Sequence, residues 1–338
     1  GVIPENGVFV RPAAFELDRI EDLAREVFGP VLHVVRFRAG ALGDVISAVN
    51  ASGYGLTLGL HTRIDEMMEE VASAARVGNI YVNRNQIGAV VGVQPFGGEG
   101  LSGTGPKAGG PHYVAALTRL VAPSAAAVAP AAALDETRAA DPRVVERADR
   151  AFRDAFAADR ALLLRKAAEQ TEGDAAALLR EAAGLAADNR AVDLPGPSGE
   201  ANTLKMRGRG VALCLGGEAS LRLQIVKALA AGDAVLAGGL IAASVEAAFA
   251  RAGLPSLVIA LDGAVPLALL EDPRIRLVAF DGAPDMRVML RRRLAARTGP
   301  IAPLLRAADP LWRYATERTL TVNTTAAGGD VRLLSLVD

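Results

Sequence analysis

Several residue types are scarce in this 338-residue sequence, and each scarcity excludes a class of protein. The one cysteine, Cys214, excludes an internal disulfide framework and any zinc site built from several thiolates. It favours a reducing compartment, so we expect a cytoplasmic protein. Neither charge sign is in excess, since 37 lysines and arginines stand against 38 aspartates and glutamates. The formal net charge of -1 therefore provides no overall field for binding nucleic acid or an anionic membrane.

Long apolar runs and targeting signals are also missing. No stretch reaches the ~18 uninterrupted apolar residues that a membrane-spanning helix needs. The opening residues GVIPENGVFVRP lack the basic and then apolar pattern of a signal peptide. The sequence begins with Gly1 rather than methionine, inside a segment with the pattern of a strand. We therefore expect the natural N-terminus to lie upstream of this residue.

The residues that are present have the composition of a globular α/β protein. Hydrophobic residues make up 51% of the chain and charged residues 22%, with 35 glycines. At about 150 residues per domain, the length allows two domains. Residues 1–120 predict an α/β region, in which short apolar strands and a helix over 65–76 are separated by glycine-rich loops. Residues 121–142 are rich in proline and alanine without an apolar face, which predicts an interdomain linker.

The rest of the chain predicts a helical region, a parallel sheet and a terminal hairpin. Residues 143–200 carry apolar positions at helical spacing, such as Val145 and Phe152, and predict two or three helices. Residues 201–316 alternate between strand and helix patterns, which predicts a doubly wound parallel sheet of the Rossmann type. Residues 317–338 contain two strand-like runs around AAGGD and predict a β-hairpin that needs another surface to pair with.

Three features that could mark a site carry weak evidence. Gly98, Gly100 and Gly103 form the pattern G-x-G-x-x-G, but the residues TGP that follow cannot begin the helix that a dinucleotide fingerprint requires. The three histidines lie far apart, with no cysteine or carboxylate at ligand spacing, so no metal site is predicted. Cys214 lies in an apolar run without a basic neighbour, so we expect it to pack as a small hydrophobic residue rather than act as a nucleophile.

Two other segments suggest binding. In EVFGPV, Glu26 and Phe28 can point to one side of an extended chain, where a carboxylate could bind ribose hydroxyls and a ring could pack on a flat heterocycle. The pattern alone favours a surface glutamate beside a core phenylalanine. In residues 83–98, the small residues Gly88 and Ala89 leave backbone N–H groups uncovered, which suits a carboxylate ligand. The alternative is a glycine-rich turn that crosses another chain segment.

Four motifs carry a resemblance to a known family. In this order and spacing, EVFGPV, SGYGLTLGLHTR, GNIYVNRN and QPFGGEGLSGTG resemble the closing third of an aldehyde dehydrogenase catalytic domain. Within that family, GAVVGVQPFGGEGLSGTGPKAGGPHY resembles the glutamate semialdehyde dehydrogenase module of the proline utilization A family, bifunctional enzymes that convert proline to glutamate. LPGPSGEANTL and ERTLTVNTTAAGGDVRLLSL continue the resemblance, which therefore covers nearly the whole chain.

This resemblance implies roles for five residues. Glu26 would hold the ribose next to the nicotinamide of NAD, and Phe28 would pack near the nicotinamide ring. Gly88 and Ala89 would bind the α-carboxylate of glutamate semialdehyde through their N–H groups, and Phe96 would pack against the aliphatic chain of that substrate. These roles position the aldehyde, while the hydride chemistry belongs to the cofactor.

The resemblance also implies what lies upstream of Gly1. The cysteine nucleophile, the oxyanion hole and the glutamate that activates water would lie there. So would the family's NAD-binding domain and an FAD-dependent proline dehydrogenase barrel, through which the whole protein could reach the inner membrane. We therefore expect a C-terminal fragment that is inactive alone. The alternative is a scaffold protein, derived from an aldehyde dehydrogenase, that assembles with a separate enzyme.

The second half of the chain resembles a degenerate nucleotide domain of the same family. GVALCLGGEASLRLQIVKALAAGDAVLAGG is similar to the start of such a domain, but Gly238 and Gly239 stand where a lysine would contact the adenosine ribose. We therefore expect residues 201–316 to be a noncatalytic structural or channel-covering domain, with retained nucleotide binding as the alternative. In the family the terminal hairpin over 317–338 pairs as an oligomerisation flap, which implies a homo-oligomer or pairing within the chain.

Overall fold

A computed structural model describes residues 6–118, 134–188 and 191–325 of the chain. Its α-helices are α1 (Leu42–Ala51), α2 (Asp65–Ala74), α3 (Tyr113–Leu117), α4 (Pro142–Asp154), α5 (Arg160–Ala168), α6 (Gly173–Asp188), α7 (Glu218–Ala231), α8 (Leu240–Arg251), α9 (Pro284–Ala295) and α10 (Leu311–Tyr314). Short 3-10 helices cover Ile20–Asp22 and Leu267–Glu271. The strands are β1 (Ala13–Leu17), β2 (Val31–Val35), β3 (Tyr54–Gly55), β4 (Thr57–Leu60), β5 (Asn79–Val82), β6 (Glu99–Gly100), β7 (Leu134–Asp135), β8 (Val192–Leu194), β9 (Glu200–Gly208), β10 (Val211–Cys214), β11 (Ala234–Gly238), β12 (Val258–Leu261), β13 (Val265–Pro266), β14 (Ile275–Ala279), β15 (Leu304–Leu305) and β16 (Ala315–Asn323).

The second half of the chain contains a five-stranded parallel sheet. Its spatial order is β12-β11-β10-β14-β15. Counted along the chain, this order is third, second, first, fourth and fifth, which is the order of a Rossmann sheet. The strands are short runs of valine, leucine, isoleucine and alanine that are mostly buried, as expected where helices cover both faces. The structure confirms the predicted doubly wound sheet.

The linker predicted over residues 121–142 overlaps β7 and the first residue of α4 at its C-terminal side. Its first part, up to residue 133, lies outside the described residues. Strand β7 then pairs in parallel with β13, next to the edge of the parallel sheet. The Asp141 side chain accepts a hydrogen bond at 2.9 Å from the Arg143 N–H and caps α4, which begins at Pro142. Residues 134–142 therefore belong to the ordered α/β unit.

The three helices α4, α5 and α6 confirm the helical pattern, but they do not form a separate region. Val145, Ala148 and Phe152 of α4 are buried against one face of the parallel sheet. On the other face, α5 and α6 pack with α7 and α8 in a second apolar cluster. The predicted division between 143–200 and 201–316 stays a prediction, and these helices complete the layers that a parallel sheet needs on its two faces.

A second five-stranded sheet joins distant parts of the chain, in the order β4-β5-β16-β9-β8. Strand β16 runs parallel to β5 and antiparallel to β9. Strand β9 thus lies outside the sheet of the predicted 201–316 domain, and β16 begins before the predicted boundary at 317. The first arm of the predicted hairpin pairs within this chain, whereas its second arm, VRLLSL, lies outside the described residues.

Near the start of the chain, β1 and β2 form a separate parallel pair. Large apolar side chains on this pair remain exposed, including Phe15 and Leu32. Two strands alone bury too little apolar surface for independent stability. In the described ranges, no helix is both long enough and apolar enough to cross a membrane.

Gly208 and Gly232 meet where β9 approaches the end of α7. A Cβ atom at Gly208 would lie 2.3 Å from the Gly232 carbonyl oxygen, a backbone contact that no side-chain rotation can relieve. We therefore expect Gly208→Ala to lower the free energy of unfolding by about 1–3 kcal/mol, as measured by urea denaturation.

The matched control for this prediction is Gly184→Ala in α6, where a Cβ would meet nothing within 4 Å. This variant should gain about 1 kcal/mol of stability from helix propensity. Equal stability of Gly208→Ala and the original protein would show that the two backbones are not in contact.

Candidate functional site

The loop over residues 83–98 leaves strand β5 in a direction fixed by Asn83. This residue has φ of 57°, a left-handed conformation that asparagine tolerates. Its Oδ1 accepts a hydrogen bond from the Thr62 N–H at 3.0 Å, and its Nδ2 donates to the Thr62 carbonyl at 2.8 Å. The loop therefore starts from a rigid turn beside β4.

Gly88 and Ala89 present two adjacent N–H groups that have no acceptor among the described residues. The N–H groups on either side of them are satisfied, at 3.1 Å from Asn85 Oδ1 and at 2.9 Å from Gln94 Oε1. Gly88 has φ of 80°, which favours glycine, and both residues are exposed. Uncovered neighbouring N–H groups of this kind can bind a carboxylate.

Glu200 of β9 holds this loop through a largely buried carboxylate. Its oxygens accept hydrogen bonds from Gln94 Nε2, from Asn202 Nδ2 at 3.0 Å and from Arg84 Nη1 at 2.5 Å. Such charge-assisted bonds are strong where water is excluded. Because the Gln94 side chain also accepts from the loop backbone, β9 fixes the loop beside Ala89. Sequence reasoning missed Glu200, since its partners in the loop, Arg84 and Gln94, lie more than 100 residues away.

Phe96 lies at the other end of the loop, on a backbone held by a buried amide. Its own backbone exchanges hydrogen bonds with Ala108 at 2.8 and 2.9 Å. Asn79 Nδ2 donates to the Pro95 carbonyl at 2.9 Å, and Asn79 Oδ1 accepts from the Gly97 N–H at 3.1 Å. The ring is thus presented from a fixed position and stays partly exposed.

The Lys107 side chain is buried beside Asn79 and Gly97, and the residue is only 2% exposed. Its Nζ donates to Asn79 Oδ1 at 2.7 Å and to the Gly97 carbonyl at 2.6 Å, and its N–H donates to Glu317 Oε2 at 2.5 Å. Burial lowers the pKa of Lys107 to about 7, although the charges of Glu317 and Glu99 oppose the shift.

Glu317 also contacts His112, a pairing that sequence reasoning missed. The two residues are 205 positions apart, yet Glu317 Oε1 lies 2.7 Å from His112 Nδ1. The His112 ring stacks on Trp312, with centroids 5.1 Å apart. No local pattern encodes this contact, because it follows from the pairing of β16 with β5.

Glu26 and Phe28 lie on the irregular segment between the first 3-10 helix and β2. Both are exposed, Phe28 at 96%, and neither has a hydrogen bond or ring contact within the described residues. The Phe28 ring is therefore not part of a core. The cofactor roles of both residues stay predictions.

The weak sequence signals have structural explanations. Cys214 is fully buried, and burial raises the pKa of its thiol well above the usual range, which confirms a packing role. A Cβ atom at Gly98, Gly100 or Gly103 would lie 2.3 to 2.7 Å from a backbone oxygen. The glycine pattern therefore allows close backbone packing. Among the described residues, no three His, Cys, Asp or Glu side chains are grouped to hold a metal ion.

Comparison with known proteins identifies relatives of two kinds. Residues 2–122 match the model of the aldehyde dehydrogenase family. Over 343 residues the chain is 40% identical to the bifunctional protein PutA of Escherichia coli. The aligned segment covers 98% of this chain and 24% of that protein. It is 40% identical over 111 residues to 1-pyrroline-5-carboxylate dehydrogenase 2 of Bacillus subtilis, covering 32% of this chain and 21% of that protein.

Among solved structures, proline utilization A from Corynebacterium freiburgense is similar at 21% identity and a TM-score of 0.45. The match covers 87% of this chain and 25% of that one. The chain spans about a quarter of the length of the PutA proteins that it matches.

Lys107 should make stability depend on pH above neutrality. Its pKa is about 7 in the folded protein, against an ordinary value of 10.5, so between these pH values the unfolded chain binds a proton that the folded chain does not. The free energy of unfolding therefore rises with pH in this window. We expect Lys107→Met to flatten that rise, as measured by urea denaturation at about pH 7 and pH 9.5.

Lys166→Met in α5 is the matched control, since Lys166 is exposed and should keep the original pH dependence. If Lys107→Met and the original protein gain the same stability over this range, Lys107 is not held with a lowered pKa.

Proposed function

We propose that this chain, whose residues 2–122 belong to the aldehyde dehydrogenase family, is part of a bifunctional proline-catabolic enzyme. Its contribution is to the NAD-dependent oxidation of L-glutamate γ-semialdehyde, the open form of 1-pyrroline-5-carboxylate, to glutamate. The names of the relatives support this proposal, since one group is called bifunctional PutA and the other 1-pyrroline-5-carboxylate dehydrogenase. The structural observation that carries it is the pair of free N–H groups at Gly88 and Ala89.

The loop suits a substrate with a carboxylate at one end and an aldehyde at the other. The α-carboxylate would accept hydrogen bonds from the Gly88 and Ala89 N–H groups, and the partly exposed Phe96 ring would pack against the methylene chain. Holding both parts fixes where the aldehyde lies. This is catalysis by positioning, which makes the attack on the carbonyl effectively intramolecular.

Glu26 and Phe28 fit two contacts to NAD. The Glu26 carboxylate is exposed and has no partner within the described residues, so it is free to accept hydrogen bonds from ribose hydroxyls. The Phe28 ring is free to pack beside the nicotinamide. When bound, NAD supplies the hydride acceptor of the reaction.

The nucleophile of the reaction is assigned to a part of the enzyme outside these 338 residues. Cys214 does not fit the role, since it lies inside the parallel sheet and burial raises the pKa of its thiol. FAD likewise belongs to the proline dehydrogenase part of the longer enzyme. A cytoplasmic location is consistent with the lone reduced cysteine.

Residues 201–316 are proposed to be noncatalytic. In a Rossmann sheet the dinucleotide binds at the switch point, which lies here beyond the ends of β10 and β14. Asp281 Oδ2 accepts hydrogen bonds across this point from Gln224 Nε2 and from the Ala307 N–H, both at 2.7 Å. These contacts join the segments that follow β10, β14 and β15. The pairing of β16 with β5 supports a flap that acts within the chain, as a structural cover.

Proline at position 89 tests the carboxylate assignment in the full-length enzyme. Ala89→Pro removes one N–H donor, and a hydrogen bond to a charged group is worth about 1.5–3 kcal/mol. We expect KM for the semialdehyde to rise about tenfold or more with a smaller change in kcat, measured by NADH formation. Ala89→Gly keeps the N–H group and should stay within about twofold of the original KM. An unchanged KM in Ala89→Pro would sink the assignment.

Glu200→Gln tests whether β9 holds the loop. The variant weakens the bonds to Arg84 and Gln94, so the loop loses its fixed geometry. We expect KM for the semialdehyde to rise about tenfold while KM for NAD stays the same, since charge-assisted bonds are roughly twice as strong as neutral ones. Glu181→Gln, at an exposed ion pair with Arg222, should change neither constant. Parallel changes in both KM values would indicate general damage instead of a loop effect.

A further inference from the structure

A small cavity lies between the dehydrogenase-like part and the doubly wound part, and the proposed reaction does not use it. Its volume is about 70 Å³. One water molecule needs at least ~10–15 Å³, and a site for a drug-sized ligand needs about 300 Å³ or more. The cavity therefore has room for one small polyatomic ion and is too small for a nucleotide.

The walls of this cavity carry an excess of positive charge. Arg76, Arg209 and Arg276 line it, together with one acid, Glu99. Glu99 is already engaged, because its Oε1 accepts a hydrogen bond from Arg318 at 3.2 Å. Two further acids lie nearby: Asp149 of α4, which pairs with Arg153 at 3.4 Å, and Asp233, whose charge acts on Arg209. Within the described residues, none of the three lining guanidiniums forms an ion pair, although the charges of Glu99 and Asp149 act on Arg76 and Arg276.

Two more guanidiniums contact the Phe156 ring, which lines the same cavity. The guanidinium carbons of Arg76, Arg207 and Arg318 lie 5.7, 5.4 and 5.2 Å from the centre of this ring. Arg76 also lies 5.0 Å from the centre of the Phe152 ring. These cation–π contacts hold the guanidiniums in place without neutralising their charge.

Hydrogen-bond donors in this cluster lack acceptors. Within the described residues, the guanidiniums of Arg76 and Arg276 donate to no protein atom. Nε of Arg207 and both Nε and Nη1 of Arg318 are buried without a partner. Burial lowers the pKa of Arg76 and of Arg276, since each has lost hydration. Buried donors of this kind are costly unless an acceptor is supplied.

We infer that this cavity binds one tetrahedral oxyanion, of the class of inorganic phosphate, between Arg76 and Arg276. A planar guanidinium donates two parallel hydrogen bonds to such an anion. Gly100 lies beside Arg276, since a Cβ atom at this position would lie 3.6 Å from Arg276 Nη2. The anion would bridge Arg76, which precedes β5, and Arg276, which lies on β14, and so link the two parts of the chain.

Calorimetric titration of the full-length protein with inorganic phosphate, at constant ionic strength, tests this inference. We expect saturable binding that weakens tenfold or more in Arg76→Gln and in Arg276→Gln, since each loses a bidentate contact. Arg292→Gln, an exposed arginine of α9, should bind as the original protein does. Circular dichroism of each variant confirms that the fold is retained.

The Glu99→Gln variant should change phosphate affinity in the opposite direction. Removing the one lining carboxylate removes repulsion, so phosphate should bind several-fold more tightly, a gain that damaged folding cannot produce. Phosphate also stabilises folded proteins in general, but this effect rises without saturation and is the same in all variants. It is therefore distinguishable from binding in the cavity. The absence of saturable binding in the original protein, or equal binding by both arginine variants and the original, would overturn the inference.

Discussion

The backbone ladder of β16 is the interaction on which both the loop and the cavity depend. This strand pairs with β5 on one side and with β9 on the other, although β5 lies about 240 residues earlier in the chain. A central strand leaves none of its backbone groups free, so displacing it would expose unpaired donors and acceptors on two neighbours. Its side chains add to the constraint, because Glu317, Arg318 and Thr319 are only 2% to 5% exposed and each bonds to a residue in the first third of the chain.

The parallel sheet could be predicted from the sequence because its information is local. Each of β10, β11 and β14 is an apolar run followed by a helix, and the right-handed crossover rule then leaves few arrangements. The mixed sheet could not be predicted in this way. Strands β9 and β16 carry mainly polar and charged residues, so no apolar period marks them as central, and their partners are set by the packing of distant segments. For that reason the predicted domain boundaries contain no information on how β9 and β16 pair.

At the site, residue composition located the loop but not what holds it. Small residues predicted uncovered N–H groups at Gly88 and Ala89, and these groups have no acceptor among the described residues. The contacts that fix them begin at Thr321, whose hydroxyl donates to Asn202 at 2.8 Å, and pass through Glu200 to Gln94. A series of side-chain hydrogen bonds of this kind depends on tertiary packing, and single-sequence patterns contain no signal for it.

The formal net charge of -1 does not show how the charged side chains are distributed in the structure. The two parts of the chain each have an apolar core, yet five arginines and one lysine gather where they meet, around Glu99 and Glu317. Like charges in a poorly hydrated space repel each other, and here the ladder of β16 and the Phe156 ring hold them together. Repulsion between partly hydrated charges falls as counterions screen it. We therefore expect the repulsion among these charges, at the joint between the two parts, to weaken as the ionic strength rises.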